Sequence, residues 1–334
     1  MTFENTATNV KVGYFDPIDT DFLPDTQSSL MRGSAASSAK DSASSAKSTA
    51  QFAQKPMVKM ARIAMSAIDR VSPRLAARLT YTLISSPPRY RPHPGEVVLR
   101  ASARQWKIPF QGGWLQCYSW GKGPVCLFVH CWGGRGTQAE VMIRHLISGG
   151  FSVVSFDHPA HGLSSGNCAE MIRMSAATAA VIQNVGPIDT LIGHSLGVAA
   201  AAIALRDYEL DVKRFVSISS LTHCTWFTEV IGDYLGISRS TLARARRIVD
   251  DSYTRPVNWE NLSVVEMLSR LSMPMLLIHD QDDQEIPFEH SQTIRKAVRH
   301  AEFQATRGLG HRRLLKDAGV LALVTRFAGQ GVAA

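Results

Sequence analysis

The stretch Gly193-His-Ser-Leu-Gly197 limits the folds open to this chain more than any other feature. A mostly apolar run at 188–192 precedes it and is typical of a buried strand, while the alanine-rich run at 198–205 that follows is typical of a buried helix. The two glycines remove the Cβ atoms that would collide where strand and helix backbones approach closely. The pattern therefore predicts a sharp strand-to-helix turn with Ser195 at its tip.

A serine at the tip of such a turn sits on strained backbone at the carboxyl end of a sheet, where open α/β folds bind their ligands. The five residues match G-x-S-x-G, the nucleophile-elbow pattern. Taken alone, the match also fits a glycine-rich turn that carries a serine by chance. A serine nucleophile needs a base, and the base needs an orienting carboxylate, in the chain order serine, acid, histidine.

Candidates for both partners follow later strands. An apolar strand predicted at 275–278 leads into a segment with acidic residues at 280, 282, 283 and 285. A last strand near 302–305 leads into Gly308-Leu-Gly-His311, ahead of an amphipathic helix predicted at 312–327. The separations between Ser195, Asp283 and His311 leave room for the intervening elements. One of the other three carboxylates could replace Asp283, although we expect those three to be solvated loop residues.

These three ordered motifs make the chain similar to proteins of the α/β-hydrolase fold over residues 96–330, with a serine nucleophile as in the esterase-like branch. The family's acid motif aligns its aspartate with Asp283, and its G-x-G-H motif aligns its histidine with His311. The resemblance implies an α/β fold with a mostly parallel eight-stranded sheet flanked by helices, and the excess of residues at 221–262 predicts a small helical cap inserted there. It also implies a serine hydrolase that acts on a carboxylic ester or thioester and needs no cofactor or metal.

Other functions remain open on the same fold. An acyltransferase or a carbon–carbon bond hydrolase could use the same triad. A ligand receptor could keep the triad while hardly turning over its ligand. A serine in place of aspartate argues against the family's dehalogenase and epoxide hydrolase branches.

The resemblance also assigns an oxyanion hole, which consists of two backbone N–H groups that bind the charged oxygen of an acyl tetrahedral intermediate. One N–H belongs to Leu196, after the nucleophile. The other belongs to Trp132, because His130-Cys-Trp-Gly-Gly134 resembles the family's H-G-x-G-G pattern. Alternatively, His130 and the glycines only shape a turn. Side chains replace family glycines at three positions and restrict the backbone there: Cys131, Ala160 and Asp280.

The segment at 221–262 is rich in aromatic residues and arginines. It predicts either a cap over the serine or an ordinary pair of surface helices. The predicted substrate-binding residues are His130, His194, Trp226 and Phe227. Three histidines of turn motifs are expected to be structural or to line the pocket: His158, His161 and His194.

Short strands and helices alternate through the predicted domain, which we place at 96–334. Strands are predicted at 96–101, 104–109, 114–120, 125–129, 151–156 and 214–218, and helices at about 137–148 and 169–184. Such alternation is typical of a parallel sheet covered by helices on both faces.

Two segments precede this domain. Residues 1–50 include a Ser/Ala-rich tract with almost nothing to bury, which predicts a disordered tail and linker. Within 51–95, apolar residues recur at helical spacing, and Pro73 divides the run into two predicted helices. These basic amphipathic helices either pack on their own domain, which we favour, or lie on a membrane surface.

Composition excludes several further classes. The net charge of +8 is concentrated in helical segments that resemble no nucleic-acid module, so we expect a small-molecule acyl substrate and no nucleic acid. Five cysteines without C-x-x-C spacing favour reduced thiols over disulfides or a zinc site. The lack of a long apolar run and of a signal pattern predicts a cytoplasmic protein. The sequence leaves the oligomeric state open.

Overall fold

The computed structural model describes residues 56–253 and 257–330, so the predicted tail at 1–50 lies outside the described residues. Eight strands are described: β1 (Arg104–Phe110), β2 (Gly113–Trp120), β3 (Val125–Val129), β4 (Ser152–Phe156), β5 (Thr190–His194), β6 (Phe215–Ile218), β7 (Met275–Asp280) and β8 (Glu302–Thr306). They form one sheet in the order β1-β2-β4-β3-β5-β6-β7-β8. Strands β3 to β8 are parallel, and only β1 and β2 run antiparallel to their neighbours.

Twelve helices are described in these residues: α1 (Pro56–Val71), α2 (Pro73–Ser85), α3 (Pro94–Ala101), α4 (Glu140–Ser148), α5 (Met171–Val185), α6 (Leu196–Asp207), α7 (Cys224–Leu235), α8 (Arg239–Asp250), α9 (Val264–Ser269), α10 (Glu289–Ala297), α11 (Gly310–Arg313) and α12 (Ala318–Gly329). Short 3₁₀ turns lie at Trp259–Asn261 and Leu314–Lys316. The predicted eight-stranded, mostly parallel α/β fold is confirmed.

The sheet is buried on both faces, which explains why its central strands are short apolar runs rather than alternating ones. Every residue of β5 and β7 is buried. One core joins α5, α6 and α9 to one face, and a second core joins α4 and α12 to the other. This arrangement leaves the carboxyl ends of the parallel strands free to carry the loops that form the site.

Two elements differ from the sequence predictions. Residues 96–101 form part of helix α3 and not a strand, because Pro94 begins the helix and the Glu96 carboxylate accepts a hydrogen bond from the backbone N–H of His93. Glu96 is also paired with Arg135 at 2.5 Å, which fixes the helix on the domain. The predicted helix at 312–327 is divided into α11, a 3₁₀ turn and α12, whose N-terminus is capped by Asp317.

Helices α1 and α2 pack on α7 and α8, the two helices of the predicted cap. The Arg62 guanidinium donates to the carbonyl oxygens of Asp233 and Tyr234, at 3.2 and 3.1 Å. The Asp69 carboxylate accepts hydrogen bonds from the hydroxyl groups of Ser238 and Thr241. A small buried cluster lies between the two pairs: Met65, Ala76, Ile237 and Leu242. The helices that precede the sheet therefore brace the helices inserted after β6.

Candidate active site

Ser195 lies at the tip of the turn between β5 and α6. Its backbone has φ 57° and ψ −125°, in the left-handed region that few residues other than glycine adopt. A Cβ atom on Gly193 would lie 2.8 Å from the Cα of Val198, and one on Gly197 would lie 2.3 Å from the carbonyl oxygen of Val129. Only glycine fits these close approaches, as the sequence pattern predicts.

The structure brings Asp283 and His311 together. Asp283 follows β7 and His311 lies in α11, and the Nδ1 atom of His311 is 2.8 Å from the Oδ2 atom of Asp283. The other carboxylate oxygen of Asp283 accepts hydrogen bonds from the backbone N–H groups of Glu285 and Ile286, both at 2.9 Å. Both side chains are buried. The contact places the ring proton on Nδ1 and leaves Nε2 as the free basic nitrogen.

The pair holds charge in a buried environment. Burial works against the charged form of His311, but the charge and the hydrogen bond of Asp283 outweigh burial and raise the pKa of the imidazole above its usual value. Burial also works against ionisation of Asp283. The charges of His311 and His279 and the hydrogen bonds that they make outweigh the effect of burial, so the pKa of the Asp283 carboxyl group lies well below its usual range. Each partner therefore favours the charged form of the other.

Ser195 does not yet contact the imidazole. Its hydroxyl group and His311 share no hydrogen bond among those that the structure describes. The Nε2 atom of His311 instead lies 3.9 Å from the Oε2 atom of Glu285. Arg312 holds that carboxylate, with 2.9 Å between its Nε atom and Oε1 of Glu285. Asp283 and His311 are therefore paired, and Ser195 lies on the neighbouring turn without a hydrogen bond to them.

The loop after β3 presents one backbone N–H group beside the elbow. The N–H of Gly133 donates to Nε2 of His161 at 2.9 Å, and the N–H of Gly134 donates to the Cys131 carbonyl at 2.9 Å. No acceptor is described for the N–H of Trp132. Leu196 begins α6, so its N–H has no acceptor within the helix. The two groups predicted for the oxyanion hole are therefore both free to donate, and the two residues pack together.

The predicted substrate residues His130 and His194 are completely buried and bond to the backbone. Nδ1 of His130 donates to the Cys131 carbonyl at 2.7 Å, and its Nε2 accepts from the N–H of His158 at 2.9 Å. Nε2 of His194 lies 3.0 Å from the His311 carbonyl oxygen. Burial lowers the pKa of His194 to about 3 and that of His161 to about 4, so both rings are neutral. These histidines support the loops of the site, and direct substrate contact by His130 or His194 does not fit their burial.

The two predicted aromatic residues lie on α7, next to the oxyanion loop. The rings of Phe227 and Trp132 are 5.2 Å apart between centroids, and the ring of Trp226 lies 4.7 Å from that of His290. Both aromatic residues pack against a small apolar cluster that contains Leu196. Phe227, Trp132 and Leu196 line a narrow pocket, whereas Trp226 lies outside its lining.

The structure corrects the expectation for Asp280, which is completely buried and not solvated. Its Oδ1 atom accepts from the N–H groups of Asp282 and Gly310, at 3.0 and 2.9 Å. Its Oδ2 atom accepts from the hydroxyl group of Thr306 and the N–H of Leu309, at 2.7 and 3.0 Å. Asp280 therefore ties the end of β7 to the loop that carries His311. The sequence feature that could have indicated this role is an acidic residue in place of a family glycine, directly after an apolar strand.

Sequence reasoning also missed His279, which is completely buried next to Asp283. Its Nε2 atom lies 2.9 Å from the carbonyl oxygen of Ile286 and 3.3 Å from Oδ2 of Asp283, and its Nδ1 atom contacts the Ser291 hydroxyl group. The ring therefore supports the turn that holds Asp283. Of the other two acids, Asp282 is largely exposed, and Glu285 is partly exposed and paired with Arg312.

Ala160, another departure from the family's glycines, adopts φ 63°. The Arg89 guanidinium, which precedes α3, donates to four carbonyl oxygens of this loop at 2.9 to 3.1 Å: those of Ala160, Gly162, Ser164 and Gly166. At Cys131, the thiol is buried against Gln138 and its pKa is raised to about 11. The segment before the sheet thus holds a turn next to the oxyanion loop.

Within residues 56–253 and 257–330, no group of His, Cys, Asp and Glu side chains could hold a metal ion. No helix in these residues is long and apolar enough to cross a membrane.

Comparisons with known proteins agree with this fold. A model of the α/β-hydrolase fold family matches residues 124–258. The chain is 25% identical to the pyrrolizixenacetamide deacetylase of Xenorhabdus hominickii over 224 residues, which are 55% of this chain and 82% of that protein. It is 26% identical to protein ABHD12B of Homo sapiens over 224 residues, 61% of this chain and 60% of that protein.

Among solved structures, the chain resembles the esterase Pf2001 of Pyrococcus furiosus with a TM-score of 0.54 and 16% identity, covering 72% of this chain and 97% of that one. At this identity the likeness shows the fold alone. Together with the sheet order and the family match, it shows that the chain has the α/β-hydrolase fold.

Proposed function

We propose that this chain is a serine hydrolase that cleaves a carboxylic ester or thioester through an acyl-serine intermediate. The observation that carries the proposal is the buried contact of 2.8 Å between His311 and Asp283 beside a serine held at φ 57°. An imidazole with its Nδ1 proton engaged by a carboxylate has Nε2 free to accept the proton of a hydroxyl group.

In the proposed reaction, the Ser195 oxygen attacks the acyl carbon while Nε2 of His311 takes the hydroxyl proton. The negative charge on the former carbonyl oxygen is bound by the N–H groups of Leu196 and Trp132. The imidazolium then gives its proton to the leaving alcohol or thiol, and an acyl-serine remains. Water repeats the attack with His311 as base, so the acid leaves and the serine is restored.

One movement is needed before the first step, because the serine hydroxyl group and the imidazole are not hydrogen-bonded. Rotation of the Ser195 side chain or a small shift of the His311 ring away from Glu285 would join them. Such contacts often tighten only when substrate is bound.

Labelling with a fluorophosphonate tests the mechanism, because an activated serine reacts with it and an ordinary serine does not. We expect a single adduct on the peptide that contains Ser195. Ser195→Ala should abolish labelling and ester turnover, while the exposed Ser148→Ala should label as the wild type does. An adduct on another residue, or full turnover by Ser195→Ala, would contradict the proposal.

The bond that is cleaved needs its own test. The relative in Xenorhabdus is named a deacetylase of an acetamide, which favours amides as a second substrate class. Rates with matched p-nitrophenyl acetate and p-nitroacetanilide would compare the two. An acyltransferase would instead require an acceptor alcohol, a carbon–carbon bond hydrolase would turn over a β-diketone and not the esters, and a receptor would stop near one turnover.

A further inference from the structure

The pocket next to the oxyanion loop is lined partly by residues that precede the sheet. Trp132 and Leu196 line it, together with Phe227 of α7. Ile84 and Ser85, from the last turn of α2, also line it. Helix α2 precedes the hydrolase sheet and lies outside the segment matched by the family model. The pocket therefore depends on a segment that the fold itself does not supply.

The last turn of α2 is fixed in this position by contacts with the segment before α5. The carbonyl oxygen of Ser85 accepts from the N–H of Ala169 at 2.7 Å, and the hydroxyl group of Tyr81 lies 3.2 Å from the sulfur of Cys168. Ile84 is buried, and the cap braces the same helix on its other side. The wall is thus part of the folded domain and not a loose appendage.

The pocket is small and mainly apolar. Its cavity volume is about 40 Å³, which is room for roughly three water molecules. Apolar side chains from four parts of the chain surround it: Ile84, Met171, Met174, Phe227 and Val249. No Lys, Arg or His side chain lines it. A space of this kind takes a short hydrocarbon group and offers no cationic partner to a negative charge.

The polar side chains in the lining are already engaged. Ser85 donates to the Tyr81 carbonyl at 2.6 Å, and Thr228 donates to the Thr225 carbonyl at 2.8 Å. Both carboxylate oxygens of Glu170 accept hydrogen bonds, one from Tyr253 at 2.6 Å and one from Cys168 at 2.8 Å.

The indole nitrogen of Trp132 is an exception, since it is buried and no partner for it is described. A polar acyl group would find this single donor and a carboxyl group from Glu170, so burying its other polar atoms would be costly.

We infer that this pocket binds the acyl part of the substrate, that it selects short unsubstituted acyl groups, and that Ile84 of α2 sets their maximum length. The inference rests on the proposed function, because the pocket adjoins the two N–H groups that would hold the carbonyl oxygen. Given the cavity volume, the preferred acyl groups have roughly two to four carbons.

Rates with p-nitrophenyl acetate, butyrate, hexanoate and octanoate test the inference. The wild type should prefer acetate or butyrate. Ile84→Ala should raise the ratio of kcat/KM for hexanoate to that for butyrate by about tenfold, and Ile84→Phe should lower the ratio of butyrate to acetate by about tenfold. The matched control is Leu75→Ala, a half-exposed leucine on the same helix that should leave both ratios unchanged. A succinyl monoester should react at least about tenfold more slowly than butyrate.

Melting temperature and fluorophosphonate labelling separate the possible failures. If Ile84→Ala is unfolded, the smaller change Ile84→Val tests the same ratio. Normal labelling at Ser195 with unchanged ratios in the folded Ile84 variants would overturn the pocket assignment and leave the proposed function intact. Absence of labelling at Ser195 in the wild type would overturn the proposed function itself.

Discussion

Replacement of Asp280 by alanine tests whether a buried carboxylate positions the loop that carries His311. The side chain is completely buried and accepts four hydrogen bonds, three of them from backbone N–H groups. A hydrogen bond to a charged group contributes about 1.5–3 kcal/mol, and a stranded buried donor costs a similar amount. Leu309 and Gly310 are half-buried, so water can replace some of the hydrogen bonds that their N–H groups lose.

Counting two of the four donors as stranded, we expect Asp280→Ala to lower the free energy of unfolding by about 3 kcal/mol. For a domain of this size, the melting temperature should fall by roughly 6–12 °C. Because a displacement of about 1 Å in a catalytic group can cost about 100-fold in rate, kcat should fall by about 10–100-fold while KM changes little. Melting measured by circular dichroism and steady-state ester hydrolysis provide the two readouts.

Asp282→Ala is the matched control for Asp280→Ala. Asp282 lies two residues further on, is largely exposed, and its carboxylate accepts one hydrogen bond, from the N–H of Gly308. We expect this change to cost less than about 1 kcal/mol and to leave kcat unchanged. Asp280→Asn should lower stability and kcat by amounts between those of the two alanine variants. Its amide oxygen still accepts hydrogen bonds from one pair of donors, whereas its amide nitrogen cannot accept from the other pair. If Asp280→Ala melts and turns over as the wild type does, the positioning role is wrong.

Three further predictions concern the base, a strained turn and the first helix. The pKa of His311 is raised above 6.5, and the neutral imidazole is the proposed base, so kcat/KM should rise with pH through a midpoint above 6.5. Asp283→Asn should move that midpoint down and reduce kcat, and a wild-type midpoint below 6.5 would contradict the coupling. Ala160→Gly should stabilise the protein by up to about 1 kcal/mol in denaturant unfolding, because Ala160 adopts φ 63°. Unchanged or lower stability would mean that the strain is absent. Met60 and Ile63 of α1 are exposed; since α1 packs on the cap, we expect no co-sedimentation with anionic vesicles at low salt, and binding that Met60→Ser and Ile63→Ser abolish would support the membrane alternative.

Local backbone demands explain why much of the fold could be predicted from the sequence. The turn at Ser195 follows from two glycines whose Cβ atoms would collide with Val198 and Val129. The parallel strands follow from short apolar runs that are buried on both faces. The order of serine, acid and histidine follows from loops at the ends of successive strands. Each of these signals lies within about a dozen residues, so pattern reasoning can find it.

Helix α3 shows where local patterns fail. Residues 96–101 are predicted as a strand, and Val97 and Val98 are β-branched residues that favour strands. The helix forms because Pro94 and Glu96 begin it and because Glu96 is paired with Arg135, a residue from another part of the chain. A contact between distant residues outweighs the intrinsic preference of the segment.

The chain by itself determined the nucleophile turn, the fold class and the order of the motifs, since these depend on neighbouring residues. Only the tertiary structure decided which acid does what. Asp280, Asp282, Asp283 and Glu285 are similar side chains within six positions, and in the sequence only the resemblance to the family's acid motif distinguishes Asp283 from the other three. The loop at 306–310 crosses the end of β7, buries Asp280 under four hydrogen bonds and sets His311 against Asp283, while Asp282 stays in water. Burial and partners are properties of distant segments brought together by packing, and they decide the role of each carboxylate.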